Sequence, residues 1–306
     1  MWLNSITGCP SESIMNDNST SASSVCAVIV TYHPGADLLR NASLLDRQVG
    51  GIVIVDNASS GESAGRISEL QNQIGCTVIR NERNLGVAAA LNAGFLFAIS
   101  QQFDWIVAFD QDSMIAEGFI QALLDAARSA TEAGIICPTY MDPGLMTPMV
   151  MPKGPSGDLL TAMTSGSMFH RTTFQKAGPF DERLFIDSVD NEYCLRIRSM
   201  GLRIIQSERA ILFHSLGKIT FSRFLGKKLV ATNHSAARRY YITRNRLYVL
   251  SQHPRDLSWI RFDVHEIFRE LAAILLIERN KAAKLRMMIR GAIDCARGKW
   301  GPQVPL

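Results

Sequence analysis

Short apolar runs alternate with amphipathic stretches through the first half of this 306-residue chain. Val25 to Thr31, Gly51 to Asp56, Cys76 to Arg80 and Asp104 to Phe109 read as buried strands, with Gly134 to Pro138 a weaker fifth. Between them Ala36–Arg47, Glu62–Ile74, Val87–Gln101 and Glu117–Thr131 carry apolar residues at helical spacing. One strand–helix unit about every 25 residues predicts an α/β fold, with a mostly parallel sheet, right-handed crossovers and flanking helices. In such open sheets ligands bind beyond the carboxyl ends of the strands, so chemistry is sought there first.

The sharpest signal at such an end is Phe109-Asp110-Gln111-Asp112-Ser113, which follows the apolar run Trp105 to Phe109. Asp110 and Asp112 together form a hard-oxygen site suited to Mg2+ or Mn2+, which keeps several waters and takes further ligands from a substrate diphosphate. Two solvated loop aspartates are the alternative for an isolated Asp-x-Asp. The second strand ends in Asp56-Asn57, an acceptor-rich turn that can bond a nucleobase or ribose, or can simply start the next helix as an Asx turn. Asn84-Leu85-Gly86 and then Asn92 follow the third strand. Gly86 there lets backbone amides approach a ligand, and the helix start favours negative charge. Neither a Gly-x-Gly-x-x-Gly fingerprint nor a Gly-Lys-Ser phosphate loop is present at this point.

Taken in order, Thr31-Tyr32-His33-Pro34, Asp56-Asn57, Asn84-Leu85-Gly86 and Asp110-Gln111-Asp112 resemble the nucleotide-sugar-binding half of family 2 inverting glycosyltransferases, which have the GT-A fold. The resemblance runs from residue 25 to about 250. It is closest to bacterial rhamnosyltransferases, which share Phe-Asp-Gln-Asp-Ser and Phe-Ile-Asp-x-Val-Asp-x-Glu. It implies donor contacts from Thr31, Tyr32, Asp56, Asn57, Asn84, Gly86, Asn92, Asp110 and Gln111. Thr164 to Ser167, with Ser165 and Gly166, looks like the acceptor-side segment. Phe185 to Arg196 occupies the place of the family's Glu-Asp-x-Asp-x-x-x-Arg segment. There the chain departs from the pattern: the Glu-Asp pair reads Val189-Asp190, and the second carboxylate stands at Glu192. The resemblance places the catalytic base on Asp190, with Asp187 a nearby competitor. Arg196 orients the site, contacts phosphate, or forms a structural ion pair. His214, followed by Gly217, resembles a late histidine that completes the metal site, or it ends a buried strand. A single displacement needs only one base, unlike the paired carboxylates of glycosidases.

Net charge is +4 overall but −8 over residues 1–214 and +12 over residues 215–306. The basic end predicts an anionic partner or a solvated helical surface. From about Phe221 the pattern is helical. Leu257, Ile260, Val264, Ile267, Leu271, Ile274 and Leu275 fall at helical spacing. No apolar run reaches the length of a membrane span, and a secretory signal is not expected at the N-terminus. Six cysteines without Cys-x-x-Cys spacing predict reduced thiols rather than a structural zinc site. The expected organisation is a disordered tail over 1–24, a GT-A domain over 25–220 and a basic helical segment over 221–306. The expected activity is transfer of L-rhamnose from dTDP-L-rhamnose to a lipid-linked surface glycan, without a nucleic-acid partner. That places the enzyme in the cytoplasm, against the inner face of the membrane. Lys227-Lys228, Arg238-Arg239 and Arg286-Arg290 are the clusters expected to meet lipid headgroups. UDP-galactofuranose and UDP-glucose are the rival donors. A nucleotidyltransferase would want a Gly-rich basic loop at Thr31 to Pro34, and a non-catalytic glycan-binding protein would not need Asp110, Asp112 and Asp190.

Overall fold

Val-Cys-Ala-Val-Ile-Val-Thr forms strand β1 (Val25–Thr31), buried along almost its whole length because helices cover both faces of the sheet. The computed structural model describes residues 21–130, 132–144, 146–214, 220–224 and 227–305. After β1 come α1 (Asp37–Asp46), β2 (Gly51–Asp56), α2 (Gly61–Ile74), β3 (Thr77–Arg80), α3 (Val87–Ser100) and β4 (Trp105–Asp110). Each lies within two residues of its predicted bounds. Residues 22–24 of the expected tail form a short 3-10 turn leading into β1, and residues 1–20 lie outside the described residues.

The chain continues through β5 (Met114–Ile115), α4 (Phe119–Ser129), β6 (Ala133–Asp142), β7 (Thr147–Pro148), β8 (Met168–His170), α5 (Arg171–Ala177), α6 (Val189–Ser199) and β9 (Arg203–Phe213). The sheet order is β3-β2-β1-β4-β8-β6-β9-β5, with β7 paired to β6. Its β3-β2-β1-β4 half is parallel throughout. The other half is mixed. β8 runs antiparallel to β4 and β6, while β6 and β9 are parallel. The chain reaches β8 through an irregular stretch rather than a helical crossover, which frees it from the parallel direction. Between β1 and β4 the strand order reverses, and a crevice opens there beyond the strand ends.

The last third begins with a hairpin, β10 (Thr220–Phe224) against β11 (Lys227–Ala231), where a helix was expected. Helices α7 (Ala236–Gln252), α8 (Leu257–Leu276) and α9 (Lys281–Ala296) follow. Their interfaces hold charges paired with one another. Arg239 is 1% exposed and reaches Glu270 at 3.0 Å and Glu278 at 2.9 Å, while Lys284 meets Glu278 at 2.6 Å. This corrects the expectation that Arg239 meets lipid: its guanidinium is an interior tie. Breaking such a tie strands a buried charge, so a single-partner deletion is strongly destabilising.

Candidate active site

The parallel register brings three strand ends into line. Thr31 stands opposite Asp56 across β1 and β2, and Val30 opposite Asp110 across β1 and β4. Asp110 closes β4. The turn after it is held from below: the Asp110 amide donates to Ser165 Oγ at 3.2 Å, and the Ser113 and Ser165 hydroxyls lie 2.6 Å apart. The Gly166 amide donates to Ala108 O at 2.7 Å. Ser165 is buried, so it braces the aspartate turn, where sequence reasoning placed it facing an acceptor.

His214 follows β9, and its amide donates to Met141 O at 3.0 Å. The ligand atoms of Asp110, Asp112 and His214 all lie within 4.8 Å of one another. Among the described residues, His214 Nδ1 is buried and has no hydrogen-bond partner. An imidazole nitrogen beside two carboxylates, on a ring whose Nδ1 is without a partner, fits a divalent cation such as Mg2+ or Mn2+. Gly217 lies outside the described residues. The Asp110 side chain opens towards the crevice, yet the protein crowding around it raises its carboxyl above the usual range. The negative charge of Asp112 adds to this, while His214 and Arg238 oppose it.

A second acidic group faces the first. The loop before α6 holds Phe185, Asp187 and Ser188 at φ values of 59°, 62° and 64°, a left-handed run of non-glycine residues. Asp187 meets Arg238 of α7 at 3.0 Å. Asp190, in the first turn of α6, accepts from the Asn191 amide at 2.8 Å. Burial pushes its carboxyl up to about 6, with Asp187 and Asp110 raising it further and the Asn191 amide opposing.

The expected donor residues divide by what they bond. The Tyr32 amide donates to Gln111 Oε1 at 2.8 Å, tying the first strand end to the aspartate turn, and the Tyr32 ring is exposed. Asp56 is buried and accepts from Thr31 Oγ1 and the Ser59 amide, with Arg80 3.5 Å away. Asn57 is buried and bonds Gly86 O, Asn81 and the Leu85 amide. Asn92 bolts α3 to the turn at residues 180–182, through Phe180 and Glu182. Asn84 Oδ1 accepts from the Gly86 amide at 2.9 Å.

Gly86 has φ 91°, and an added Cβ would stand 2.4 Å from Phe185 O. The next amide, Val87, donates to that same oxygen at 2.7 Å. The close approach expected towards a ligand is therefore made to the backbone of the loop before α6. Gly86→Ala combines left-handed strain with a backbone clash. We expect about 2 kcal/mol or more of destabilisation, read as a lowered melting temperature.

Glu192 and Arg196 pair side-on, with Nε and Nη2 donating to the two carboxylate oxygens. Arg196 Nη1 also donates to Ala177 O and Pro179 O, each at 2.8 Å. Those bonds commit Arg196 to the turn after α5 and correct the expectation of a phosphate contact. Glu192 neutralises it there.

A family model for Glycosyl transferase family 2 matches residues 26–182, which contain β1 to β4 and the aspartate turn. The chain belongs to glycosyl transferase family 2. This glycosyltransferase is 30% identical over 304 residues to the dTDP-rhamnosyl transferase RfbF of Shigella flexneri, covering 91% of this chain and 97% of the relative. It is 29% identical over 265 residues to the galactofuranosyltransferase GlfT1 of Mycobacterium tuberculosis, covering 78% and 87%. Among solved structures, the mannosyltransferase PcManGT from Pyrobaculum calidifontis, in complex with GDP-Man and Mn2+, superposes with a TM-score of 0.54 at 15% identity, covering 92% of this chain and 76% of the other. S. aureus TarS 1-349 in complex with UDP-GlcNAc gives 0.56 at 13% identity, covering 90% and 83%. These likenesses show the GT-A fold.

Sequence reasoning missed the part of the glycosyltransferase that holds the acidic loop. Asn245 of α7 is fully buried, and its Nδ2 donates to Leu184 O, Ile186 O and Asp187 O at 2.5, 2.6 and 3.0 Å. Arg244, also fully buried, donates to Arg183 O and Leu184 O from one Nη and to Lys299 O and Gly301 O from the other. Arg238 faces Asp187, Asp110 and Asp190 together. The available signal was an Arg-rich helix, read as a surface.

Proposed function

We propose that this enzyme transfers L-rhamnose from dTDP-L-rhamnose, with inversion, to a hydroxyl of a lipid-linked glycan. The carrying observation is the arrangement of Asp110, Asp112 and His214, with its orphaned Nδ1, across from Asp190. Asp110, Asp112 and His214 are the residues that would hold Mg2+ or Mn2+, which when bound supplies Lewis-acid neutralisation of the nucleoside diphosphate leaving group. Asp190 accepts the proton of the acceptor hydroxyl as that oxygen attacks the anomeric carbon and the bond to the diphosphate breaks. The Asp187 carboxylate is engaged by Arg238, which supports Asp190 over Asp187 as the base. Rhamnose is favoured by the similarity to RfbF, and the GlfT1 similarity keeps UDP-galactofuranose as the second reading. A donor panel scored by nucleoside diphosphate release with Mn2+ tests this. Turnover of dTDP-L-rhamnose above all others is expected, and preferential release of UDP from UDP-galactofuranose would replace the first reading with the second. We further read residues 25–220 as the catalytic unit and 221–306 as a basic unit serving it.

The lipid-linked acceptor implies work at the cytoplasmic face of a membrane. No helix among the described residues is long and apolar enough to cross one. Two observations support a surface contact. Leu257, Val264, Phe268 and Leu275 recur along one line of α8 and are exposed, Phe268 at 68%. Every acidic side chain of residues 257–305 is held in an ion pair: Asp263, Glu266, Glu270, Glu278 and Asp294. Arg261, Arg279, Arg286 and Arg297 are exposed. The exterior is thus apolar and basic, and each such charge contributes about 1 kcal/mol near anionic lipid. Flotation with anionic vesicles is expected to carry the enzyme, and Phe268→Ser combined with Leu275→Ser to weaken that binding several-fold. Absence of binding at low salt would reject the contact.

A further inference from the structure

A cavity of about 410 Å³ opens beside the aspartate turn, lined by Tyr32, Asn84, Phe185 and the segment Pro302 to Pro305. That segment is far from the others in sequence and is fastened deliberately. Tyr241, fully buried in α7, donates its hydroxyl to Val304 O at 2.6 Å. The same oxygen accepts from the Gln303 and Val304 amides at 3.0 and 2.9 Å. Arg244 Nη1 donates to Gly301 O at 2.7 Å, and the Gly301 amide donates to Arg183 O at 3.2 Å. Gln303 Nε2 bonds Trp300 O at 2.7 Å. Residues 301–304 are therefore a strap bonded to α7 and to Arg183, and residues 302–305 form one side of the cavity.

The chemistry of the lining says what the cavity takes. Among the described residues its lining comprises two aromatic rings, two prolines, a valine and two side-chain amides, with no charged group. A phosphate or a cation has no partner of opposite charge there. A flat, neutral heterocycle with amide-like edges does, through stacking on the exposed Tyr32 ring and hydrogen bonds to Asn84 or Gln303. One lining residue is also tied to the aspartate turn. The Tyr32 amide is bonded to Gln111, which sits between Asp110 and Asp112. We propose that the strap Pro302–Pro305 is the outer wall of the nucleobase slot, and that Gln303 helps select the base. This deepens the donor reading above and rests on it.

Calorimetric titration tests it with three probes, each in the presence of Mn2+: dTDP, UDP and inorganic diphosphate. The variants are Gln303→Ala, at an exposed position, and Tyr241→Phe, which removes the hydroxyl that fastens the strap. Loss of one stacked or hydrogen-bonded base contact corresponds to about 10-fold in affinity. The expected result is dTDP binding weakened about 10-fold in at least one variant, with diphosphate binding unchanged. Unchanged dTDP affinity in both variants overturns the strap's role while leaving the donor reading intact. An equal loss for dTDP and diphosphate also overturns it, because the damage is then general. A wild-type enzyme that binds neither dTDP nor UDP removes the donor reading, and the strap proposal with it.

Discussion

Asp112→Ala is expected to abolish sugar transfer, by about 10³-fold or more, while the protein stays folded. Asp112 stands in the turn after β4, and its carboxylate lies within 4.8 Å of the Asp110 and His214 ligand atoms. Its removal leaves two donors where a hard cation wants three or more protein or substrate oxygens. The leaving diphosphate then loses charge neutralisation of several kcal/mol, and each 1.4 kcal/mol is a tenfold in rate. The fold is spared because the turn is braced by main-chain and serine bonds, among them Asp110 N to Ser165 Oγ, and not by the Asp112 carboxylate. Calorimetry with Mn2+ and dTDP separates the effects: metal-dependent nucleotide binding should disappear while the melting curve holds. Full activity of the wild type in excess chelator would remove the metal from the account.

Asp190→Asn is the second large effect. The amide keeps the size and still accepts from the Asn191 amide, but it cannot take a proton. Donor affinity should stay close to wild type while the turnover rate falls about 10²-fold or more. The pH dependence follows from the raised carboxyl. With its pKa near 6 in the free enzyme, Asp190 is ionised above that value and protonated below it, so kcat/KM should fall as pH drops through about 6. The sign for stability is opposite. A carboxyl whose folded pKa lies above its unfolded value weakens the fold once it is ionised, so Asp190→Asn should match or exceed wild-type stability at pH 8. If Asp187→Asn shows the rate loss and Asp190→Asn does not, the base sits one turn earlier. A pH profile flat between 5 and 7 would argue against Asp190 as the base.

The elements that repeat a simple period were legible from the chain. β1 and β2 match their predicted bounds and α8 carries the apolar residues seen at helical spacing, since fully buried strands and a long helix leave unbroken apolar patterns. Asp110, Asp112 and His214 were also visible as a set, and the structure brings them together. The hairpin β10–β11 was not: five-residue strands carry few periods, and the neighbouring helical pattern dominates the window. β9 was seen only at its end, because Gln206, Ser207, Glu208 and Arg209 interrupt its apolar run. The bonds of Asn57 and Asn92 were missed for a different reason, and for Arg196 the structural ion pair was one of the readings offered. Each is polar near a strand end or the acidic loop, and a residue type does not tell whether its bonds run to a ligand or to a carbonyl. The hold of Asn245 and Arg244 on residues 183–187 was out of reach altogether, since about sixty residues separate donor from acceptor and no local pattern encodes such a pairing.

The grip of Asn245 on the acidic loop has a consequence for rebuilding the enzyme. Its amide reads only main-chain carbonyls, those of Leu184, Ile186 and Asp187. Exchanging side chains along that loop therefore leaves these three bonds in place. Transplantation is another matter. A chimera joined near residue 220, with its first part from this chain and its last part from a relative, would take the left-handed run at Phe185, Asp187 and Ser188 away from the helix that keeps it in shape. Such a hybrid works only where the incoming helix presents an amide and a guanidinium at the same two places.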